Sequence, residues 1–249
     1  ALLAAAPLQA KNFTYSFNSD VITLDPHSSN NTFANAFIGN IYEGLTRFNE
    51  KIEIEPALAE RWELVNPTTW RFHLRRNVRF HDGAAFTADD VLFTWSRLNT
   101  PGALGRRVIG DVTDIKKIDD FTVEILTQNP NPLLLPALTA FNVMSRPWAE
   151  ANNATAASNL QEQRESGAAR VANGTGPFRV VSRAPDEKTV LANWAGWWDT
   201  PRHNLTEVTF QPIRNIREFV DRWLLRDEPL AIEALQRVVE RLNELDASA

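Results

Sequence analysis

Four histidines are the side chains in this sequence that could bind a metal ion or transfer protons. His27, His73, His81 and His203 are scattered, without the His-x-Glu or i, i+4 spacing typical of metal sites. His73 and His81 lie on neighbouring predicted strands and could meet, but structural histidines at a sheet edge are more frequent. The chain has no cysteine, which excludes thiolate ligands, disulfides and cysteine nucleophiles. We therefore predict no metal site and no cofactor.

Two adjacent carboxylates, Asp89 and Asp90, are the residues closest to an acid–base pair. Neighbouring residues on a helix point about 100° apart, so the two cannot readily flank one bond. Thr87 before them is typical of a helix N-cap, and the helix dipole favours negative charge in the first turn. No Gly-x-Ser-x-Gly elbow occurs, and residues 174–177 lack the Lys of a phosphate loop. The sequence predicts no catalytic residue.

Strands and helices that would position these side chains can be identified from periodicity. Residues 70–74 and 121–126 alternate apolar and polar side chains, the period of a half-buried strand. Asp82 and Gly83 predict a tight turn, because glycine tolerates positive φ. Residues 86–98 predict the start and body of a helix with an apolar stripe.

Other segments complete a mixed pattern of helices and strands. Phe37, Ile41 and Leu45 recur at every fourth residue, which predicts a helix leading into a short strand. Residues 151–173, rich in Ala, Asn, Gln, Glu and Ser, predict a mobile surface loop with one short helix. Further strands are predicted at residues 13–17, 178–181, 189–192 and 208–212, a hairpin at 47–56 and a short helix at 133–140.

Several motifs follow one another in a fixed order over roughly residues 12–213. They are Leu24-Asp25-Pro26-His27, Asn40-Ile41-Tyr42-Glu43-Gly44-Leu45, residues 56–62 and 69–76, Val78-Arg79-Phe80-His81-Asp82-Gly83, residues 86–95, 117–119 and 122–125, Gly174-Thr175-Gly176-Pro177-Phe178, and residues 193–199 and 205–213. In this order they resemble the extracellular solute-binding proteins of family 5, the binding components of oligopeptide, dipeptide, nickel and related ABC importers.

The resemblance implies an α/β fold, a periplasmic-binding-protein type II-like lobe with a mixed sheet and an inserted subdomain. Residues 11–42 and 148–213 would form the first-lobe sheet domain, and residues 43–147 the inserted subdomain. Family members then continue into a second lobe, whereas residues 214–249 of this chain predict a C-terminal helical tail in its place. Residues 1–10 are apolar and small, as expected for a signal-peptide remnant, and the alternative is an ordinary buried N-terminal segment.

The resemblance also indicates where a ligand would be contacted. The candidates are Ser29, Asn30, Asn31 and Thr32 after the first motif, with Thr139, Phe141 and Asn142 further along the chain. These positions are polar and uncharged, with Phe141 as an apolar wall. We therefore expect a neutral or sugar-like solute, or a peptide held by its backbone. The alternative is that they are ordinary loop residues.

Three tryptophans, Trp194, Trp197 and Trp198, cluster in a segment that loosely resembles a structural loop of the family. Core packing and contact with a ligand are both open for them. Packing is the more frequent role for large aromatic side chains.

The partners expected from the resemblance are a peptide or other small solute and a membrane ABC permease, in a periplasmic or secreted location. The net charge of −5 argues against a nucleic-acid partner. The alternative function is a non-transporting interaction or structural module. In that case the tail would cover the exposed cleft or mediate self-association through the C-terminal helices.

Overall fold

A computed structural model describes residues 11–107, 109–159 and 161–213. The predicted signal-peptide remnant at residues 1–10 and the predicted helical tail at residues 214–249 lie outside these ranges. The described elements are, in order, β1 (Lys11–Phe17), α1 (Thr32–Ile38), β2 (Thr46–Phe48), β3 (Ile54–Pro56), β4 (Ala59–Asn66), β5 (Thr69–Leu74), α2 (Ala88–Leu98), β6 (Val112–Asp119), β7 (Thr122–Thr127), α3 (Leu134–Ala137), α4 (Arg146–Ala151), β8 (Phe178–Ala184), β9 (Lys188–Asn193) and β10 (Leu205–Pro212).

Two four-stranded sheets organise these elements. The first sheet has the order β1-β10-β9-β8, in which β1 is parallel to β10 and the other neighbours are antiparallel. The second sheet has the antiparallel order β4-β5-β7-β6, and β2 and β3 form a separate hairpin. The mixed first sheet, built from both ends of the described chain, agrees with the α/β lobe implied by the family resemblance.

Most elements predicted from periodicity are confirmed. The strands predicted at residues 70–74 and 121–126 are β5 and β7, and the helix predicted at residues 86–98 is α2 with Thr87 as its N-cap. The four other predicted strands and the β2–β3 hairpin are also present. Gly83 has φ +90°, which explains why glycine ends the turn between β5 and α2.

The helix predicted from Phe37, Ile41 and Leu45 is shorter than its spacing indicates. α1 ends at Ile38, and the side chain of Asn40 donates to two carbonyl oxygens near its C-terminal end. These bonds satisfy acceptors that a longer helix would have used. Ile41 and Leu45 are fully buried outside the helix. The spacing of these three residues at every fourth position therefore reflects their burial and not a continuous helix.

Residues 151–173 agree only in part with the predicted surface loop and short helix: residues 161–165 are exposed and Gly167–Ala169 form a short 3-10 helix, but other residues of the segment are buried. Ala154, Ala157 and Ser158 are each at most 2% exposed. Small side chains allow the backbone to approach its neighbours closely, and the carbonyl of Ala154 accepts a hydrogen bond from Arg97 at 2.8 Å. The abundance of small and polar residues reflects this close backbone contact.

The helix α2 lies between two hydrophobic cores. Val91 and Leu98 pack in the core beside the second sheet, whereas Phe93 packs in the core beside the first sheet. Arg97 on the same helix has no exposed surface. The apolar stripe predicted for this helix also includes Leu92 and Trp95, which are only partly buried. The helix therefore buries two faces rather than the single face expected of a surface helix.

The adjacent aspartates at the start of α2 have different environments. Asp90 is buried and accepts the backbone N–H groups of Thr87 and Arg146, both at 2.9 Å. It therefore caps α2 and fixes the start of α4. Asp89 is exposed and pairs with Lys117 at 3.0 Å. Each of the two adjacent aspartates therefore has a structural role of its own.

We expect Asp90→Ala to lower the free energy of unfolding by about 2–3 kcal/mol, because the N–H groups of Thr87 and Arg146 lose a charged acceptor that is itself buried. Asp89→Ala is the matched control, and its loss should stay below about 1 kcal/mol because surface ion pairs contribute little. Urea unfolding of both variants measures the difference. Equal losses would contradict the role given to Asp90.

Candidate functional site

The aspartate of the Leu-Asp-Pro-His motif is held by a buried arginine from α2. Two nitrogens of the Arg97 guanidinium donate to the two carboxylate oxygens of Asp25, each at 2.8 Å, and neither side chain is exposed. The guanidinium also donates to the backbone oxygens of Ala154 and Ala156. Ser158 donates its backbone N–H to the same carboxylate at 3.0 Å. A buried ion pair needs such additional partners to offset its loss of water.

His27 connects this ion pair to residues 139–142. Its Nδ1 lies 2.7 Å from Nη1 of Arg97, and its Nε2 lies 2.8 Å from the backbone oxygen of Asn142. A guanidinium can only donate, so Nδ1 must accept and the proton of the neutral imidazole is on Nε2. His27 therefore donates to Asn142 in a single tautomer.

Burial and charge set the protonation states of this network. Burial favours a higher pKa for Asp25, but hydrogen bonds and positive charge from Arg97 outweigh it and hold the pKa below its usual value. Burial, and then the charge of Arg97, lowers the pKa of His27 to about 3. At neutral pH the three groups are an anion, a cation and a neutral imidazole, as their hydrogen bonds require.

The four candidate ligand residues after the first motif lie at the start of α1. Asn31 is the N-cap, and its side-chain oxygen accepts the N–H of Ala34 at 3.1 Å. The hydroxyl oxygen of Ser29 accepts the N–H of Asn31 at 3.2 Å. Asn30 and Thr32 are exposed, and their side chains have no hydrogen-bond partner among the described residues. The loop thus presents three polar side chains to solvent, of which Asn31 also caps the helix.

The other three candidates lie between α3 and α4. The hydroxyl of Thr139 donates to the backbone oxygen of Pro136 at 2.8 Å. Phe141 is 1% exposed and packs in the core beside the second sheet, so its ring does not line an open surface. Asn142 is half-buried. Its bond with His27 brings this segment to the loop that precedes α1.

Glu43, which the sequence analysis did not single out, accepts hydrogen bonds from two tryptophans. Nε1 of Trp197 lies 3.2 Å from Oε1, and Nε1 of Trp198 lies 2.9 Å from Oε2. Burial raises the pKa of Glu43, and the indole donors partly oppose that effect. The only signal in the sequence was its place in the Asn-Ile-Tyr-Glu-Gly motif. Trp198 also packs against the core beside the second sheet, and contact of these tryptophans with a ligand stays a prediction.

Charged residues around Trp198 also hold the loop that follows β9, as the Glu43 contacts do. Arg47 pairs with Asp199 at 2.7 Å and with Glu55 at 2.6 Å. The guanidinium of Arg75 lies 4.1 Å from the centre of the Trp198 ring, within the range of a cation–π contact. The loop that follows β9 is thereby held against β2, β3 and the end of β5.

His73 and His81 are not on neighbouring strands, which corrects the prediction from spacing. His73 lies on β5, whereas His81 lies in the turn region before α2 and bonds the backbone oxygen of Gly176 at 3.0 Å. A side chain at Gly174 would place its Cβ 1.9 Å from the oxygen of Ile41. The Gly-Thr-Gly-Pro motif therefore serves close backbone packing, consistent with its lack of phosphate-loop residues.

Across the residues that the structure describes, no group of three or more His, Asp or Glu is placed to hold a metal ion. Among the same residues, no helix has the length and apolar character needed to cross a membrane. The chemistry available at the two candidate segments is hydrogen bonding and packing.

The buried neutral His27 predicts a measurable pH dependence. The unfolded chain, with a histidine pKa near 6.5, binds more protons than the folded chain, in which the pKa is about 3. Stability from this residue is complete above pH 6.5 and is lost as the pH falls towards 3, by at most about 1.4 kcal/mol per pH unit. His27→Gln should reduce the decline in unfolding free energy between pH 7 and 5.

Urea unfolding at several pH values measures how the unfolding free energy declines as the pH falls. His203→Gln, at an exposed position, is the matched control. The control should decline as the wild type does. Equal slopes for the wild type and His27→Gln would contradict the neutral, buried state of His27.

Comparison with known protein sequences agrees with the motifs. The family described as "Bacterial extracellular solute-binding proteins, family 5 Middle" matches residues 53–218. The chain is 26% identical over 224 residues to the periplasmic oligopeptide-binding protein OppA of Salmonella typhimurium, which covers 82% of this chain and 40% of that protein. It is 28% identical over 209 residues to the periplasmic murein peptide-binding protein MppA of Escherichia coli. This match covers 76% of this chain and 37% of that protein. The chain thus spans about two fifths of these relatives.

Comparison with solved structures gives the same result. The periplasmic binding protein DppA of Helicobacter pylori, in complex with the peptide STSA, matches with a TM-score of 0.73 and 26% identity, over 85% of this chain and 44% of that chain. These relatives are binding proteins rather than enzymes, and their names place them in the periplasm. Because the family match covers more than half of the sequence, the chain belongs to the bacterial extracellular solute-binding proteins of family 5.

Proposed function

We propose that this chain is the solute-binding component of a peptide-type ABC importer. It would capture a peptide or another small solute reversibly and deliver it to a membrane permease, in a periplasmic or secreted location. The observation that carries the proposal is the His27–Asn142 hydrogen bond, which joins two polar segments at one place. Relatives named for oligopeptide, murein peptide and glutathione binding support the same class of function.

The proposed contacts are the polar groups of the two joined segments. We propose direct hydrogen bonding by the exposed or half-buried side chains of Asn30, Thr32 and Asn142. Ser29, Asn31 and Thr139 would contribute backbone groups and hydroxyl or amide oxygens that retain free lone pairs. Phe141 would support the segment from the core rather than touch the solute.

The class of solute follows from the absence of charge on these proposed contacts. Amide and hydroxyl groups recognise carbonyl, amide and hydroxyl partners without the added strength of a charged hydrogen bond. A neutral or sugar-like solute, or a peptide held through its backbone, therefore fits them better than a strongly charged one. No bond is made or broken in this function, so no catalytic residue and no cofactor are required.

The proposed division of the chain follows the two sheets. Residues 11–42 and 148–213 would form the first-lobe sheet domain, and residues 43–147 the inserted subdomain. Closure of two lobes on a solute is the usual mechanism of such binding proteins. Self-association through residues 214–249 stays a prediction.

We expect the 249-residue chain to bind trialanine, glutathione or neutral sugars weakly, in the high micromolar range or above. Asn30 and Thr32 lie on open surface, whereas tight pockets bury most of their ligand. Isothermal titration calorimetry with each solute measures the affinity. Asn142→Ala should weaken whatever binding is found, and Asn129→Ala, at an exposed position after β7, is the matched control. Nanomolar binding would show that the described surface is already a complete site.

A charge placed at Asn30 tests the recognition of a free amino terminus. Asn30→Asp should strengthen binding of trialanine about tenfold relative to N-acetyl-trialanine, because a carboxylate forms a charged hydrogen bond with an ammonium group. Asn129→Asp makes the same change of charge away from the site. An equal effect from both variants would contradict a contact at Asn30.

A further inference from the structure

We propose that Arg97 is a positioning residue that sets the separation of the two proposed ligand-contacting segments, residues 29–32 and 139–142. The inference rests on the proposed function for the role of those segments. The coupling between them rests on hydrogen bonds of the described residues. Arg97 contacts Asp25 and His27 directly, and its effect on the second segment passes through His27.

One face of α2 is the common reference for both segments. Arg97 holds the loop that leads into residues 29–32. Three residues earlier on the helix, the hydroxyl oxygen of Thr94 accepts the N–H of Met144 at 3.0 Å, two residues after Asn142. Side chains three positions apart lie on the same face of a helix. A single rigid element therefore fixes both segments.

The loop before α1 is also constrained on its own side. The carboxylate of Asp25 accepts the backbone N–H of His27 at 3.1 Å, and the backbone oxygen of His27 accepts the N–H of Leu104 at 2.8 Å. Because the backbone N–H and the backbone oxygen of His27 are both held, its imidazole ring points in a fixed direction towards Asn142. The hydrogen bond at Asn142 then transmits the position of the helix to the second segment.

Only an arginine can make this set of contacts. Nη1 donates to both Asp25 and His27, while Nε and Nη2 donate to the backbone oxygens of Ala154 and Ala156. A lysine ammonium has three hydrogens on one atom and cannot reach all of these acceptors. Arg97→Lys therefore keeps the charge but loses the donor that makes Nδ1 of His27 an acceptor.

Amide hydrogen exchange, followed by NMR on the 249-residue chain, tests the coupling. His27→Leu removes both ring nitrogens, whereas His27→Gln keeps one acceptor and one donor. In His27→Leu, amides of residues 139–144 should exchange about tenfold faster, as expected for a local loss of protection. Amides of β5 and β7 should stay near the wild-type rates, and His27→Gln should restore most of the protection.

The tautomer of His27 is the readout that distinguishes positioning by Arg97 from general support of the core. Long-range proton–nitrogen spectra of the wild type should show the neutral form protonated on Nε2. In Arg97→Lys the same spectra should show a mixture of tautomers, with faster exchange at residues 139–144. Should Arg97→Lys fail to fold, the two His27 variants still decide the coupling.

The proposal is overturned if His27→Leu leaves exchange at residues 139–144 unchanged, or raises it equally in β5 and β7. It is also overturned if folded Arg97→Lys keeps the single tautomer and the wild-type exchange rates. The proposed function is tested separately by adding millimolar trialanine or glutathione to the wild type. If neither solute shifts the amide signals of Asn30 and Asn142, the proposed ligand contacts are wrong. The coupling of the two segments is then decided by the hydrogen-exchange data alone.

Discussion

Two opposite charges held out of water, Asp25 and Arg97, are the constraint on which the surrounding structure depends. Removing a carboxylate and a guanidinium from solvent is costly unless each donor and acceptor is matched. The neighbouring chain is built to match them: the carbonyls of Ala154 and Ala156 accept from Arg97, and Ser158 donates to Asp25. The Asp-Pro-His loop and the segment after α4 take their positions from this requirement.

The helix α2 transfers that constraint to the rest of the described chain. It contributes Val91 and Leu98 to one core and Phe93 to the other, and Asp90 at its start caps the helix and receives the N–H of Arg146. A helix buried on two faces has little freedom to rotate or slide, because interiors are packed as densely as organic crystals. The two sheets are thus connected through one eleven-residue helix, through the Glu43–tryptophan contacts and through the bond of His81 to Gly176.

Local patterns in the sequence predicted local structure well. The alternation at residues 70–74 and the Thr87 cap before α2 depend on neighbours within a few positions, and both are confirmed. The burial of Arg97 could not be predicted in this way, since a cation near a helix C-terminus is ordinarily a solvated residue. Its partner lies 72 positions away, and periodicity carries no information about such distant contacts. The same limit applies to Glu43, whose tryptophan partners are 154 and 155 positions distant. The pairing of the two candidate segments was expected only from the resemblance to a family.

The parallel pairing of β1 with β10 has a consequence for biosynthesis. Lys11 pairs with Leu205 and Phe17 with Pro212, so β1 has no strand to join until nearly all of the described chain has been made. The second sheet lies between residues 59 and 127, and its hairpins β4–β5 and β6–β7 are closed by short turns, so it can form without β1 and β10. Contacts between distant parts of a chain form slowly, and unpaired strand edges are prone to aggregate. During that interval β1 carries Phe13 and Phe17, which remain about half exposed even after folding, so among the described strands it is the one whose apolar edge waits longest for its partner.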